Sequence, residues 1–574
     1  MRDRHSRLTA RSWLVMAESL RDEYEKVCRA LEGAKWRVRL GVSRVLERLD
    51  CLFSNGENGV VFMEYPAGYG KSAMTLALAK VAVDGNPFFS RVIHVLPMRT
   101  IADDLGGRLR KWMEKLGYYP GVVGIQHMGS PGSPFFAKKC VVVTLDTFML
   151  NFYKAPACEL AKLFKYDVSH YEFPRGNIYS SLVVFDEFHL LQPSSTGDFP
   201  SFDDEAKALY AATRAIIQMA SVGVPTVVMT ATMPRALKDF LKRQVESFGL
   251  KFEEEAYSPE KDPQFEEERR RKRIKLTVWE GGVLDAAVGY CGQGKRVLIV
   301  LNTVKAAVEV YRELRSRGVN SVLLHGRLPE SVKRERAKEL GRAKTLVATQ
   351  VVEAGIDESF DVLVTEVCPP DRLLQRMGRV ARKEEHYEGE VVVVKQVSSG
   401  VYDKNVIDAT WRLIEGHDDF RPRSKVEDEV RAVMSEVYCE ERVGKLDQQF
   451  EVFGRLLGDL DAYPFLTAQD ARRLIEAVGG LTASFGIVSA FAAEDVNNGS
   501  YLQNAVGLSE NMARKAIMHG ANVVKDGRIE ALDERSRRAL LRANNLSLEL
   551  LRNNYEGIVL DEIDREVGYV GVSD

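Results

Sequence analysis

The sequence predicts an α/β protein, with two parallel-sheet units in tandem and then a mostly helical segment. Three observations predict it. From about residue 58, short β-branched apolar runs alternate with helical stretches. The same alternation restarts at about 276, after a run of mixed charge. Beyond about 405 the strand signal fades into Leu, Ala, Arg and Glu. Continuous apolar runs of this kind suit parallel strands buried on both faces. At 574 residues the chain exceeds what one core can organise.

Residues 1–57 carry Arg, Glu and Leu at helical spacing and read as a helical segment. The first α/β unit spans 58–252, with strands expected at Val60–Met63, Arg91–Leu96, Val141–Thr144, Leu182–Phe185 and Thr226–Thr230. The run 253–275 holds many charges and two prolines and reads as a solvated linker. The second unit spans 276–404. Its strands are expected at Leu276–Trp279, Val297–Leu301, Ser321–Leu324, Leu346–Thr349, Val362–Val367 and Glu390–Lys395. Residues 405–574 read as a mostly helical domain.

Composition narrows the function. Eighty basic and 82 acidic residues leave a net charge of −2, so nucleic acid must be met by a local groove. The seven cysteines include no Cys-x-x-Cys pair, which argues against a zinc ribbon and a disulfide framework. The apolar stretch near the N-terminus is short and broken by charge, and no run of 18 apolar residues occurs. A cytoplasmic protein with no membrane partner is expected.

The motifs fall at strand ends. Val60–Met63 leads into Glu64-Tyr-Pro-Ala-Gly-Tyr-Gly-Lys-Ser72 and then a helix. A strand, a Gly-rich turn, Lys-Ser and a helix make a phosphate loop, whose backbone N–H groups and helix dipole suit a polyphosphate. Gly68, Tyr69, Gly70, Lys71 and Ser72 are the expected nucleotide contacts. Lys71 would reach the β- and γ-phosphates and Ser72 would bind Mg²⁺. Tyr65 stands where the common form of the loop has glycine. The strand Leu182–Phe185 ends in Asp186-Glu187-Phe188-His189. Asp186 would hold Mg²⁺, and Glu187 would position or activate the attacking water. Thr230-Ala231-Thr232 closes the next strand and could relay between the acidic box and a nucleic acid.

In the second unit, Val347 to Asp357 reads V-A-T-Q-V-V-E-A-G-I-D. Gly355 and Asp357 could face the nucleotide, and Thr349 a nucleic-acid phosphate. Gln375-Arg-Met-Gly-Arg-Val-Ala-Arg382 follows. If helical, Gln375, Arg379 and Arg382 share one face, suited to a γ-phosphate arriving from another domain. Arg379 and Arg382 are the candidate arginine fingers, and all three are candidate catalytic residues. His94, His127 and His170 have no ligand spacing and read as ordinary polar or core residues.

In this order the motifs resemble superfamily 2 helicases over about residues 58–400, which implies two tandem RecA-like domains and an ATP-driven motor. The closer resemblance is to the signature helicase of type I CRISPR systems. It rests on Leu96-Pro-Met-Arg-Thr-Ile-Ala-Asp-Asp104, Thr144-Leu-Asp-Thr147, Leu301-Asn-Thr-Val304, Leu323-Leu-His-Gly-Arg327 and Ala348-Thr-Gln-Val-Val-Glu353. The resemblance implies that Arg99, Thr100, Thr144, Thr303, Arg327 and Thr349 line a single-stranded DNA track. Backbone phosphates would be gripped there without reading bases. It also implies recruitment by a CRISPR surveillance complex.

Two departures from the family matter. Its usual N-terminal HD nuclease has a His/Asp metal cluster, whereas here only His5 precedes the phosphate loop. The one His-Asp dipeptide, His417-Asp418, lies beyond the motor and reads as surface. A separate HD-type nuclease subunit is therefore expected, as in some archaeal systems. Secondly, no Gln precedes Gln126, so the upstream glutamine that reads adenine in DEAD-box enzymes is missing and relaxed nucleotide choice is expected. Two other readings stay open: a general DEAH-like DNA-repair or RNA helicase, and a binding scaffold with a dead nucleotide site.

Overall fold

The computed structural model describes residues 18–31, 36–127, 130–166, 168–191, 204–353, 358–382, 387–395, 402–437 (except 416 and 418), 447, 450–451, 454, and 487–569 (except 544 and 562). They form two compact units. The first takes the described residues within 1–160, 168–267 and 438–471, and the second those within 161–167, 268–437 and 472–574.

The first unit is built on an eight-stranded sheet. Its strands are β1 (Gly59–Glu64), β2 (Arg91–Leu96), β3 (Val123–His127), β4 (Ser130–Pro131), β5 (Cys140–Thr144), β6 (Ser181–Phe185), β7 (Thr226–Thr230) and β8 (Lys251–Ala256). The order is β4-β3-β5-β2-β6-β7-β1-β8, parallel throughout except at β4. Val60 to Met63 and Leu182 to Phe185 are buried, as strands covered on both faces require. The register Glu64↔Thr230 sets the chain turns after β1 and β7 level with each other. All the parallel strands therefore deliver their loops to one edge. Upstream, helices Leu20–Ala30 and Leu40–Asn55 pack into the same unit, the first capped by Ser19.

The second unit holds a seven-stranded sheet. Its strands are β9 (Arg273–Trp279), β10 (Val297–Val300), β11 (Ser321–Leu324), β12 (Thr345–Ala348), β13 (Val362–Glu366), β14 (Glu388–Val394) and β15 (Phe420–Pro422). The order is β11-β12-β10-β13-β14-β9-β15, with only β15 antiparallel. Val300 pairs with Ala348 and Thr365, so the loops after β10, β12 and β13 again leave one edge together.

Two expectations are corrected here. The run 253–275 contains the division between the two units, between Glu267 and Glu268, but it is not a solvated stretch: β8, the helix Pro263–Arg271 and the start of β9 occupy most of it. Its carboxylates are neutralised inside the fold. Glu255, 1% exposed, takes Arg44 Nε at 2.8 Å and Arg48 Nη2 at 3.0 Å, while Glu254 takes Lys238 at 2.7 Å. Read alone, the run looks solvated because the arginines that hold Glu253 and Glu255 lie 205 and 211 residues upstream. Nor does the second unit stop at 404. Trp411, Ile414, Val426 and Val430, on helices Lys404–Ile414 and Arg423–Val437, belong to its core.

Beyond them, helices Glu510–Met518, Glu534–Arg542 and Leu546–Arg552 accompany a small sheet absent from the sequence reading. Its strands are β16 (Ile487–Ala492), β17 (Val506–Ser509), β18 (Asn522–Lys525), β19 (Arg528–Glu530) and β20 (Gly557–Leu560), in the order β17-β16-β20-β18-β19. Each strand is short and embedded in helix-forming residues, so a window long enough to show helical periodicity hides it. Among the described residues, no helix is long and apolar enough to cross a membrane.

Candidate functional site

In the first unit, β1 runs out at Glu64 into the loop that ends at Lys71. Gly68 and Gly70 adopt φ of 81° and 96°, where a side chain would be strained, so this turn needs glycine at both positions. Lys71 is already in the right-handed helical region, and the helix Ser72–Asp84 starts without a side-chain cap. An uncapped helix start suits a polyphosphate. Lys71 is 8% exposed and its Nζ donates to the Tyr65 carbonyl at 3.1 Å, which folds the ammonium over the loop.

Tyr65, in the place of the usual glycine, is structural. Its ring covers Gly41, its hydroxyl donates to Glu255 at 2.9 Å, and Arg44 donates to that hydroxyl at 2.8 Å. Tyr69 is turned the same way. Its hydroxyl donates to Asp262 at 2.5 Å and accepts from the Gly41 amide at 2.7 Å. Both rings join Tyr257 and Phe265 in one aromatic cluster. Tyr69 therefore has only its backbone for a nucleotide.

The acidic box leaves β6 on the same edge. The Asp186 amide donates to Val95 O at 2.9 Å, and its Oδ1 accepts the Glu187 amide at 2.8 Å. His94 Nε2 lies 3.3 Å from Asp186 Oδ2, and His94 Nδ1 lies 2.8 Å from Thr75 Oγ1 on the helix that follows the phosphate loop. Burial alone would push the Asp186 carboxyl up, but the His94 contact and the Lys71 charge outweigh it and hold the group below the usual carboxylate value. Glu187 sits at φ 52°, a strained setting for a non-glycine residue. Its carboxylate is 3.5 Å from His189 Nδ1, which is 2.9 Å from Thr230 Oγ1. Thr230 in turn donates to Thr232 O at 2.9 Å. A continuous polar chain thus joins the acidic box to Thr230-Ala-Thr232.

These residues fit a magnesium–triphosphate. Ser72 offers a half-buried hydroxyl at the first turn of the helix, and Asp186 an ionised oxygen, both hard ligands. When bound, the metal would neutralise charge on the phosphates.

In the second unit the arginine motif differs from its expected form. The helix ends at Met377, and Ala381, at φ 48°, turns the chain away. Val380 then forms a parallel bridge with Phe360. Gln375, Arg379 and Arg382 therefore do not share one helical face: Gln375 is on the last turn, and both arginines follow it. Pairing with Phe360 outweighs helix continuation here. Arg379 Nη2 donates to Glu353 O at 2.7 Å, and the Arg382 amide donates to Ser359 Oγ at 2.9 Å. Both arginines are half-buried. Gly355 and Asp357 lie outside the described residues.

Arg376, wholly buried, organises this edge. It donates to Glu353 at 2.8 Å, Thr365 Oγ1 at 2.6 Å and Asn302 Oδ1 at 3.0 Å. Arg372 also reaches Glu353, at 3.2 Å. Asn302 closes the net: its backbone amide donates to Glu366 Oε2, and Gln350 donates to its backbone carbonyl at 2.9 Å. From sequence, His94 reads as an ordinary polar or core residue, and Asn302, Glu353 and Arg376 are given no role. A histidine inside the apolar strand R-V-I-H-V-L was a usable signal, because a buried imidazole needs partners. The other three lie within the motif blocks themselves.

The expected strand-contact residues fall in both units, each at the carboxyl edge of its sheet. In the first, Arg99 and Thr100 open the helix Arg99–Lys115, and Thr144 is buried with its hydroxyl donating to Thr147 Oγ1 at 3.1 Å. In the second, Thr303 caps the helix Val304–Ser316 by accepting the Ala306 amide at 3.2 Å. Thr349 is buried at the end of β12, with its amide on Leu324 O at 3.3 Å. Arg327 is half-buried, and burial holds its guanidinium below the usual arginine value. Thr144 and Thr303 thus do local structural work with the hydroxyls that the resemblance gives to DNA.

The family model for the DEAD/DEAH box helicase matches residues 50–240, and that for the CRISPR-associated nuclease/helicase Cas3, C-terminal, matches residues 293–385. The CRISPR-associated nuclease/helicase Cas3 of Methanothermobacter thermautotrophicus is 26% identical over 506 residues, covering 81% of this chain and 55% of that protein. The CRISPR-associated helicase Cas3 of Thermoproteus tenax is 26% identical over 385 residues, covering 65% and 61%. The chain thus spans less than two thirds of the length of either relative. The crystal structure of T. fusca Cas3 is similar in fold, with a TM-score of 0.59 at 14% identity over 95% of this chain and 69% of that one. The DEAD/DEAH box helicase model falls on the first sheet and the Cas3 model on the second, in chain order, a likeness that supports a CRISPR-associated superfamily 2 helicase.

Proposed function

We propose that this chain is a cytoplasmic ATP-driven translocase that moves on single-stranded DNA and unwinds target DNA in CRISPR interference. One observation carries the reading: Lys71, Asp186 and Glu187 stand at one sheet edge, with Asp186 kept ionised by His94 and Lys71. A dead nucleotide scaffold has no need of that arrangement. In this reading Lys71 binds the β- and γ-phosphates and Glu187 orients the attacking water. Gln375, Arg379 and Arg382 supply polar contact and positive charge as hydrolysis proceeds. Gly68, Gly70, the Tyr69 backbone, Gly355 and Asp357 complete the nucleotide contacts. Arg99, Thr100, Arg327 and Thr349 grip DNA phosphates, with Thr144 and Thr303 shaping the track. One similar structure is of a CRISPR RNA-guided surveillance complex, which supports such a complex as the recruiting partner.

We assign strand cutting to a separate HD-type nuclease; among the described residues no group of three or more His, Cys, Asp or Glu could hold a metal ion. Metal-dependent cutting of single strands by this pure chain would contradict that part. The motor reading is tested by ATPase stimulation and strand separation on DNA duplexes with 3′ or 5′ tails. Stimulation by single-stranded DNA far above RNA is expected. Stronger stimulation by RNA would favour a general DEAH-like helicase instead.

A further inference from the structure

We infer that the segment Asp564–Tyr569 is a strap that pre-sets the loop His325–Arg327 for gripping a nucleic-acid phosphate. This rests on the reading of Arg327 as a strand contact.

The loop leaves β11 at Leu324, and the strap fixes it through the backbone. Tyr569 N donates to Arg327 O at 3.1 Å. Buried His325 donates from Nε2 to Val567 O at 3.0 Å and accepts the Arg327 amide on Nδ1 at 3.2 Å. Both backbone groups of Arg327 are therefore committed, one directly to the strap and one through a histidine that the strap holds. These two bonds need the neutral imidazole with its proton on Nε2. Burial, together with the charges of Lys333, Arg336 and Arg327, pushes that histidine down to about 4, so the neutral form persists.

The strap is itself a tight hairpin. Asp564 Oδ1 accepts the Glu566 amide at 2.7 Å and the Val567 amide at 3.2 Å, and Asp564 O accepts the Gly568 amide at 2.7 Å. Val567 is buried in the second core, and Tyr311 donates to Glu566 at 2.9 Å. Gly568 has a φ of 69°, and a Cβ there would lie 2.2 Å from Arg327 O. Only glycine permits this approach.

The Arg327 side chain makes no hydrogen bond or ion pair with any described residue, although it is half-buried and its charge is partly desolvated. A cation on a fixed backbone with free donors suits a phosphate oxygen, because the cost of ordering the loop is already met.

The test uses the full chain and a labelled oligothymidylate. Gly568→Ala should leave ATPase without DNA unchanged, weaken binding about tenfold and lower the slope of log Kd against log salt; Arg327→Ala should weaken binding and lower that slope to a similar extent. In the Arg327→Ala background, Gly568→Ala should add little. Asp564→Ala, which opens the hairpin, is the second variant and decides the matter if Gly568→Ala fails to fold. Should Arg327→Ala bind DNA like the parent, the assignment of Arg327 as a strand contact fails. Should Arg327→Ala bind weakly while Gly568→Ala and Asp564→Ala bind like the parent, the strap is overturned.

Discussion

His94 and Asp186 meet at 3.3 Å on neighbouring strands, and the other nitrogen of His94 meets Thr75 at 2.8 Å. One imidazole therefore ties the carboxylate proposed to hold Mg²⁺ to the helix that follows Lys71 and opens at Ser72. Replacing it frees the carboxylate to rotate without removing any nucleotide contact. His94→Asn is expected to raise the Mg²⁺ concentration that half-saturates the ATPase about tenfold, since such supports are worth 10–100-fold in metal affinity. The rate at saturating Mg²⁺ should fall much less. A proportional loss of rate at every Mg²⁺ concentration would show that His94 serves packing alone.

Lys71 and Glu187 separate binding from chemistry. Lys71→Ala should abolish DNA-stimulated ATPase and weaken nucleotide binding, because it removes the phosphate-facing charge. Glu187→Gln keeps size and hydrogen bonding. It should bind a fluorescent nucleotide as the parent does, while kcat drops by about 10²–10⁴. Glu187→Gln that still turns over at the parent rate would exclude this carboxylate from positioning the water.

Neighbouring arginines in Gln375–Arg382 should behave differently. Arg376 is fully buried and holds Glu353, Thr365 and Asn302. Arg376→Ala leaves Glu353, among the described residues, with only the Arg372 side chain, and should cost about 3–5 kcal/mol in denaturant unfolding. Arg379→Ala and Arg382→Ala should leave stability nearly intact and reduce kcat by about 10³ or more. If either of these variants unfolds as readily as Arg376→Ala, its role is structural.

These arginines also mark how far the sequence could be read. The sheets were legible because runs such as V-V-F-M and L-V-V-F have one stable use, burial on both faces. The placement of Lys71, Asp186 and Glu187 at one sheet edge was legible because the ends of parallel strands gather there whatever the distant contacts. The arginine motif was only half legible. Its residues stood out, but the end of the helix at Met377 depends on Val380 pairing with Phe360, which no local rule contains. The run 253–275 misled for the same reason, since the arginines that neutralise Glu253 and Glu255 lie on the helix Leu40–Asn55. Tyr65 and Tyr69 looked like loop residues and are core, because Asp262 and Glu255 come back to satisfy their hydroxyls.

A buried cluster in the second unit makes its stability depend on acid. Glu427 takes Arg423 at 2.7 Å and Arg269 at 2.8 Å. Burial alone would raise its carboxyl, but the charges of Arg423, Arg269 and Arg431 prevail and hold it at about 2. A folded value below the unfolded one adds stability that is complete above the unfolded carboxylate value, near 4.5. That stability is lost as pH falls from there toward 2. The shift corresponds to roughly 3 kcal/mol. Glu427→Gln cannot make the ion pairs at any pH and leaves two buried cations without their charge. It should be less stable than the parent by about 3 kcal/mol at pH 7, and the gap should narrow as both are titrated toward pH 3. Urea unfolding of the two proteins across that range measures it. A gap that stays constant from pH 7 to 3 would mean that Glu427 is not the group whose protonation weakens the fold.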